Sequence, residues 1–177
     1  MSTRTRSNPA EPIRIEASVA KIHHLHNRGE PDMTTSLCEH VIRTDDLPAV
    51  VEALRRSGGD AAWAVFMFRT AIASAETADD CLNLQYAIEG NVVGLEWVLL
   101  GPRNVADKAA LTRFIRRRGH QVRTRDMNGV RYLRVENGDL CRLGLEIIHD
   151  FYGVDHDYPI GLLVQGFSVP IGRHPAG

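Results

Sequence analysis

Three stretches of this sequence concentrate residues able to do chemistry. The first, "HDFYGVDHDYP", carries His149, Asp150, Asp155, His156 and Asp157, and imidazole with carboxylate is a ligand set for zinc, manganese or iron. An HD pair also opens some metal-dependent phosphohydrolase motifs, which makes a metal-dependent hydrolase one function to weigh. Such motifs draw further ligands from other helices, and the chain has no helical H-x-x-x-H and no H-E-x-x-H. The simpler expectation is a helix end followed by an Asp-rich turn ahead of Pro159. The second stretch, "HHLHNRGEPDMTTSLCEH" at 23–40, holds four histidines and Cys38. A metal there would have to join His23, His24 and His26 to Cys38 and His40 by ordering the chain across Gly29 and Pro31, at a conformational cost. No metal and no cofactor is expected from either stretch.

The third stretch, "QVRTRDMNGVRYLRVE", makes the most definite statement. Asn-Gly between two alternating runs supplies the positive φ angles of a two-residue hairpin turn. The register then pairs Met127 with Val130, Asp126 with Arg131, Arg125 with Tyr132, Thr124 with Leu133, Arg123 with Arg134 and Val122 with Val135. Side chains alternate across a strand, so Val122, Thr124, Leu133 and Val135 share one face, and Arg123, Arg125, Tyr132 and Arg134 share the other. One ring among three guanidinium groups is a combination that stacks and still contacts phosphate or carboxylate, as nucleic-acid-binding sheets do. A solvated face with ordinary cross-strand pairs is the plainer outcome. "RFIRRRGH" adds Arg113, Arg116, Arg117 and Arg118 nearby in sequence.

Other catalytic templates are missing: there is no G-x-S-x-G, no G-x-x-x-x-G-K-[ST] and no G-x-G-x-x-G, which lowers the expectation of an enzyme. Glu89 and Glu96 could oppose each other near the first hairpin, where carboxylates are expected to be solvated. Cys38, Cys81 and Cys141 are widely spaced with no C-x-x-C, against both a disulfide framework and a thiolate zinc site.

The elements that must position these residues can be read from period and punctuation. With 177 residues, 44% hydrophobic and 24% charged, the chain has the length of one domain and the composition of an ordinary globular protein. No apolar run reaches the length of a membrane span, and the first residues carry no apolar segment of a secretory signal. A cytoplasmic location and no membrane partner are therefore expected. Residues 1–32 read as a leader, 33–168 as a single domain and 169–177 as a tail. Charge is uneven: residues 1–102 carry 9 Lys/Arg against 14 Asp/Glu, 103–142 carry 11 against 4, and 143–177 carry 1 against 4. A basic middle lies between acidic ends, a feature of partner choice rather than of fold.

"LPAVVEALRRSGG" spaces Leu47, Val50, Val51 and Leu54 as a helix that Gly58 and Gly59 stop. In "DAAWAVFMFRTAIASAE" the alanines favour a second helix with Asp60 as N-cap, a buried strand over Val65–Phe68 being the alternative. "CLNLQYAIEG" alternates and turns at Gly90-Asn91 into "VVGLEWVLLG", a hairpin. "GPRNVADKAALTRFIRRRG" is a helix with Asn104 as N-cap, Leu111, Phe114 and Ile115 inward and Gly119 at its end. "GDLCRLGLEIIHDFYG" carries a helical stripe of Leu140, Leu143, Gly144, Ile147 and Phe151, and "IGLLVQGF" is a final strand. The order from Trp97 onward is strand, helix, hairpin, helix, strand. It predicts an α+β protein with a mostly antiparallel sheet, ferredoxin-like in its C-terminal half. In that arrangement the strand at Trp97 already has two neighbours, so either the order is altered or the hairpin that pairs residues 81–89 with it does not form. The two N-terminal helices are left to the sheet margin or its second face.

Residues 94–140, "GLEWVLLGPRNVADKAALTRFIRRRGHQVRTRDMNGVRYLRVENGDL", resemble small cytosolic bacterial proteins of the immunity type, which neutralise toxins of contact-dependent or polymorphic systems. The resemblance implies a stoichiometric inhibitor without chemistry of its own. Immunity proteins against nucleases are often acidic, so the basic surface implies either contact through acidic flanks that include Asp155 and Asp157, or an acidic target. The expectation is a non-enzymatic module that binds a protein by charge complementarity, with nucleic-acid binding by the Arg/Tyr face as the alternative.

Overall fold

The computed structural model describes residues 38–70, 81–99, 102–127 and 129–169. Residues 1–32, the tail after residue 169, the histidines at 23, 24 and 26 and Asn128 of the hairpin turn lie outside these. Among the described residues seven strands form one antiparallel sheet: β1 (Cys38–Arg43), β2 (Trp63–Phe68), β3 (Leu82–Glu89), β4 (Val92–Val98), β5 (Arg123–Met127), β6 (Val130–Val135) and β7 (Pro159–Gln165). Their order across the sheet is β1-β7-β2-β3-β4-β6-β5. Three helices, α1 (Leu47–Ser57), α2 (Pro102–Arg117) and α3 (Leu140–Glu146), accompany it, and a π turn over Ile147–Phe151 extends α3. No helix among the described residues is long and apolar enough to cross a membrane.

The α+β expectation holds, and the altered order resolves the conflict over the strand at Trp97. β4, β6 and β5 keep the split arrangement of a ferredoxin-like half, with α2 crossing from β4 to β5 around β6. The final strand does not return beside β4: β3 takes that place, and β7 sits between β1 and β2. The run at 63–68 is a strand, not the favoured helix. All six of its residues are buried, because β2 lies inside the sheet and both of its faces are covered, so its apolar residues show no period to read. Asp60 is accordingly not an N-cap; its Oδ1 accepts from the Gly90 backbone N–H at 3.1 Å.

Both hairpins form as read. Gly90 and Asn91 both have positive φ, 55° and 68°, and the β5–β6 ladder runs from Met127 opposite Val130 to Arg123 opposite Arg134. The expected Val122–Val135 pair falls beyond this ladder, although Val122 packs on the core. In α2 the helix begins at Pro102 rather than after Asn104, since proline suits a first turn whose N–H has no intrahelical partner. Asn104 is buried inside the helix, its side-chain amide donating to the Val98 carbonyl at 2.7 Å.

All three helices pack on one sheet face. Leu47, Val50, Val51 and Leu54 of α1, Leu111, Phe114 and Ile115 of α2, and Leu140 and Leu143 of α3 share a cluster with Phe66, Leu84, Tyr86, Trp97, Leu133 and Leu162. Each such side chain contributes roughly 1.5–3 kcal/mol by leaving water. α1 therefore joins the main core instead of capping the second face. At the centre, the Tyr86 hydroxyl donates to the Leu140 carbonyl at 2.8 Å, and α3 passes so close that a Cβ on Gly144 would overlap that hydroxyl. Gly144→Ala is expected to destabilise by about 1–3 kcal/mol through overpacking. Adding Tyr86→Phe should return part of that loss, because the clash is with the hydroxyl. Urea unfolding of the two single variants and the double tests this; strict additivity would contradict the close approach.

Candidate functional site

The second sheet face holds the residues of interest. One row of cross-strand partners runs from Leu163 on β7 through Val65, Gln85, Glu96 and Arg134 to Arg123 on edge strand β5. Its apolar end belongs to a small cluster of Trp63, Val65, Met67, Ala87 and Leu163. Its middle is charged. Arg134, only 1% exposed, donates from Nη1 to Glu96 Oε1, from Nε to Glu136 Oε1 at 2.7 Å and from Nη2 to the Val92 carbonyl at 3.0 Å. Glu89 Oε2 lies 3.6 Å from Nε. Glu96, 3% exposed, takes a second hydrogen bond from Gln85 Nε2 at 2.7 Å. The space for the guanidinium comes from Gly94, where any Cβ would fall on it.

This arrangement corrects the exposed Arg/Tyr face expected from the hairpin. Alternation does place Arg123, Arg125, Tyr132 and Arg134 on one side, but β4 and β3 extend that side with carboxylates. Arg134 is consumed by them. Tyr132 is 6% exposed, packs with Val98 and donates its hydroxyl to Glu89 Oε1 at 2.9 Å. Glu96, expected to be solvated at a hairpin end, instead lies mid-strand opposite Gln85 and Arg134. The carboxylates were visible in the sequence, and the missed signal was Glu96 inside the apolar run "VVGLEWVLL": a charge there needs a partner of opposite sign.

Burial pushes the Glu96 carboxyl up to about 7, against the pull of the Arg134 charge and hydrogen bond. Glu136 moves the other way, held below the ordinary range chiefly by the hydrogen bond from Arg134. For Arg134 burial works against the charge, but the hydrogen bond to Glu136 and the charges of Glu96 and Glu89 outweigh it and raise its pKa. Burial, reinforced by the bond to Glu89, raises Tyr132. A carboxyl ionising near neutrality has the acidity of a general acid or base. Both Glu96 oxygens are already engaged, however, and the group is enclosed, which suits a structural charge cluster better than a reacting one.

The remaining expected site residues are scattered. Arg123 and Arg125 are exposed on β5, and Arg116 and Arg117 are exposed at the end of α2. Arg118 turns inward to Glu146 at 2.6 Å and Asp150 at 3.0 Å, with its guanidinium over the Phe114 ring. Asp155 and Asp157 are exposed in the turn before β7, where Asp157 pairs with Arg43 at 3.2 Å. Asp150 is thus drawn away from His149, which stacks on His156 with ring centroids 3.9 Å apart.

Arg134→Met leaves Glu96 buried without its partner and should cost about 3–5 kcal/mol, most of which Arg134→Met with Glu96→Gln should restore; urea denaturation near neutral pH reads both. The pH dependence follows from the raised pKa. The folded carboxyl holds its proton above the ordinary 4.5, so its stabilising contribution is whole below about pH 4.5, falls as pH rises through about 7 and is gone above. Wild-type stability minus that of Glu96→Gln should therefore drop by on the order of 3 kcal/mol between about pH 4.5 and pH 8. A difference independent of pH would refute the assignment.

Comparison of the chain with protein-family models, with curated proteins and with solved structures finds no match.

Proposed function

We propose that this chain is a non-enzymatic protein-binding module whose recognition surface is the basic sheet edge at β5. The observation that carries this reading is the exposure of that edge. β5 is the terminal strand, paired only with β6 among the described residues, and Arg123, Thr124, Arg125 and Asp126 are all exposed. Exposed Arg131 on β6 lies opposite Asp126, and exposed Arg113, Arg116 and Arg117 lie on α2, the helix that precedes β5 in the chain. A strand exposed on both faces offers backbone donors and acceptors along its outer edge as well as side chains, the geometry used when a partner adds a strand. Edge-to-edge pairing of two copies would set arginines against arginines, which disfavours self-association and favours an acidic partner. Inhibition of a toxin domain is the form of this reading that the resemblance of residues 94–140 implies, with the acidic-target alternative now the better supported.

Nucleic-acid binding loses its main support, because stacking needs an open ring face and Tyr132 is enclosed with its hydroxyl held by Glu89. The test is charge reversal at Arg123 and Arg125, both exposed, Arg123 Nη1 lying 3.8 Å from Glu136 Oε2 at the rim of the charge cluster. Using a partner captured from the native host and then purified, Arg123→Glu with Arg125→Glu should weaken binding by about tenfold or more, mainly through slower association, and flatten its salt dependence. Because the Arg123–Glu136 pair is exposed, the reversal should lower stability to urea by no more than about 1 kcal/mol. Undiminished binding would overturn the reading. Steeply salt-dependent binding of a mixed-sequence single-stranded oligonucleotide, lost in the same variant, would transfer the edge to nucleic acid.

A further inference from the structure

We propose that Asp45, His149 and His156 form a binding site for one divalent transition-metal ion of the zinc class, at the end of the sheet away from β5. The ligand atoms of these three residues lie within 4.8 Å of one another. His156 Nδ1 and Asp45 Oδ1 are already 3.5 Å apart, close to the roughly 3.3 Å between neighbouring ligands of a tetrahedral zinc with bonds of about 2.0–2.1 Å. Two imidazoles and one carboxylate form a borderline donor set that favours zinc over the oxygen-seeking magnesium and calcium.

The decisive residue is His149. Its Nδ1 lies 2.6 Å from the Val154 carbonyl oxygen. A carbonyl can only accept, so Nδ1 carries the proton, and in the neutral ring Nε2 then keeps a bare lone pair. A backbone carbonyl on the far nitrogen is the usual device for fixing the tautomer and orientation of a metal-binding histidine. That Nε2 is buried and has no hydrogen-bond partner among the described residues, which is unusual for a polar atom removed from water. The His149 ring stacks on that of His156, and a ligand atom of each of His149, His156 and Asp45 lies within 4.8 Å of the other two. The π turn contributes as well, because His149 sits within Ile147–Phe151, and such turns re-aim side chains at functional sites.

The surrounding backbone holds the three residues ready. Thr44, the neighbour of Asp45, donates from its hydroxyl to the carbonyls of His156 and Asp155, and from its N–H to the Tyr158 carbonyl at 3.2 Å. These bonds fix the turn carrying His156 against the segment carrying Asp45. The side chains of His156 and Asp45 are 77% and 58% exposed, so they can rotate the last ångström toward a bound ion. Three protein ligands leave a fourth position on the solvent side, for water or a donor from another molecule.

Zinc uptake by the histidine run at 23–26 must be separated from this site, so the test uses the full chain carrying His23→Gln, His24→Gln and His26→Gln. Equilibrium dialysis with metal quantification should find one zinc per chain, and zinc should raise the thermal unfolding midpoint, since an ion that binds only the folded state stabilises it. His149→Ala and, separately, His156→Gln should each weaken uptake by about tenfold or more and abolish the midpoint rise. His156 is exposed, so its replacement leaves folding intact and keeps the test valid if His149→Ala proves unstable. Zinc uptake unchanged in His156→Gln, or none retained by the parent at micromolar free zinc, would overturn the proposal.

Discussion

Placing Arg134 inside the sheet constrains most of what surrounds it. A guanidinium removed from water is tolerable only where carboxylates and carbonyls meet its donors, and here Glu96, Glu136, Glu89 and the Val92 carbonyl all do so. These partners come from β3, β4 and the end of β6, so their meeting fixes how those strands align. A slip of one residue would turn Arg134 into the helix-packed core and bring Leu133 and Val135 onto the charged face. Gly94 is part of the same constraint, since the guanidinium occupies the space where its side chain would be. The cluster thus acts first as a register lock, and its consumption of Arg134 and Tyr132 decides which hairpin residues remain for a partner.

Strand order follows from the same separation of apolar and charged residues. β2 and β7 carry continuous buried runs without a polar side chain, and each needs a neighbour on both sides. Insertion of β2 and β3 between β7 and β4 supplies those neighbours and moves the polar strands outward. β5, with only Met127 partly buried, ends one side, and β1, which exposes Val41 and Glu39, ends the other. A minimal ferredoxin-like order would have placed β7 against β4 and left β2 without a sheet to enter.

What could be read in the sequence was local. The β5–β6 register was legible because Asn-Gly and strict alternation are set within sixteen residues, and the turn at Gly90-Asn91 likewise. The α1 stripe was legible because its helical spacing contrasts with polar neighbours. β2 was misread because burial on both faces removes any such contrast, leaving alanine content to mislead. The exposure assigned to Arg134 failed for a different reason: a strand's alternation tells which residues share a face, but not what the next strands add to it. Asp45 could not be connected to His149 at all, since over a hundred residues separate them and only the pairing of β1 with β7 brings their loops together.

That pairing also determines how the two surfaces relate. Asp45 follows β1, and His149 and His156 precede β7, so this group lies at the margin where the order begins, whereas the arginines of β5 lie where it ends. Six strand spacings separate β1 from β5, roughly 29 Å at about 4.8 Å each. Exposed charges so far apart are screened from each other at physiological ionic strength, and substitutions at such distances act additively unless an element with two arrangements joins them. The intervening strands argue against such an element, because their close-packed interior resists graded displacement. A partner at β5 and an ion at the β1 margin should therefore bind independently, and the ion's influence should be confined to holding the 155–158 turn on Thr44.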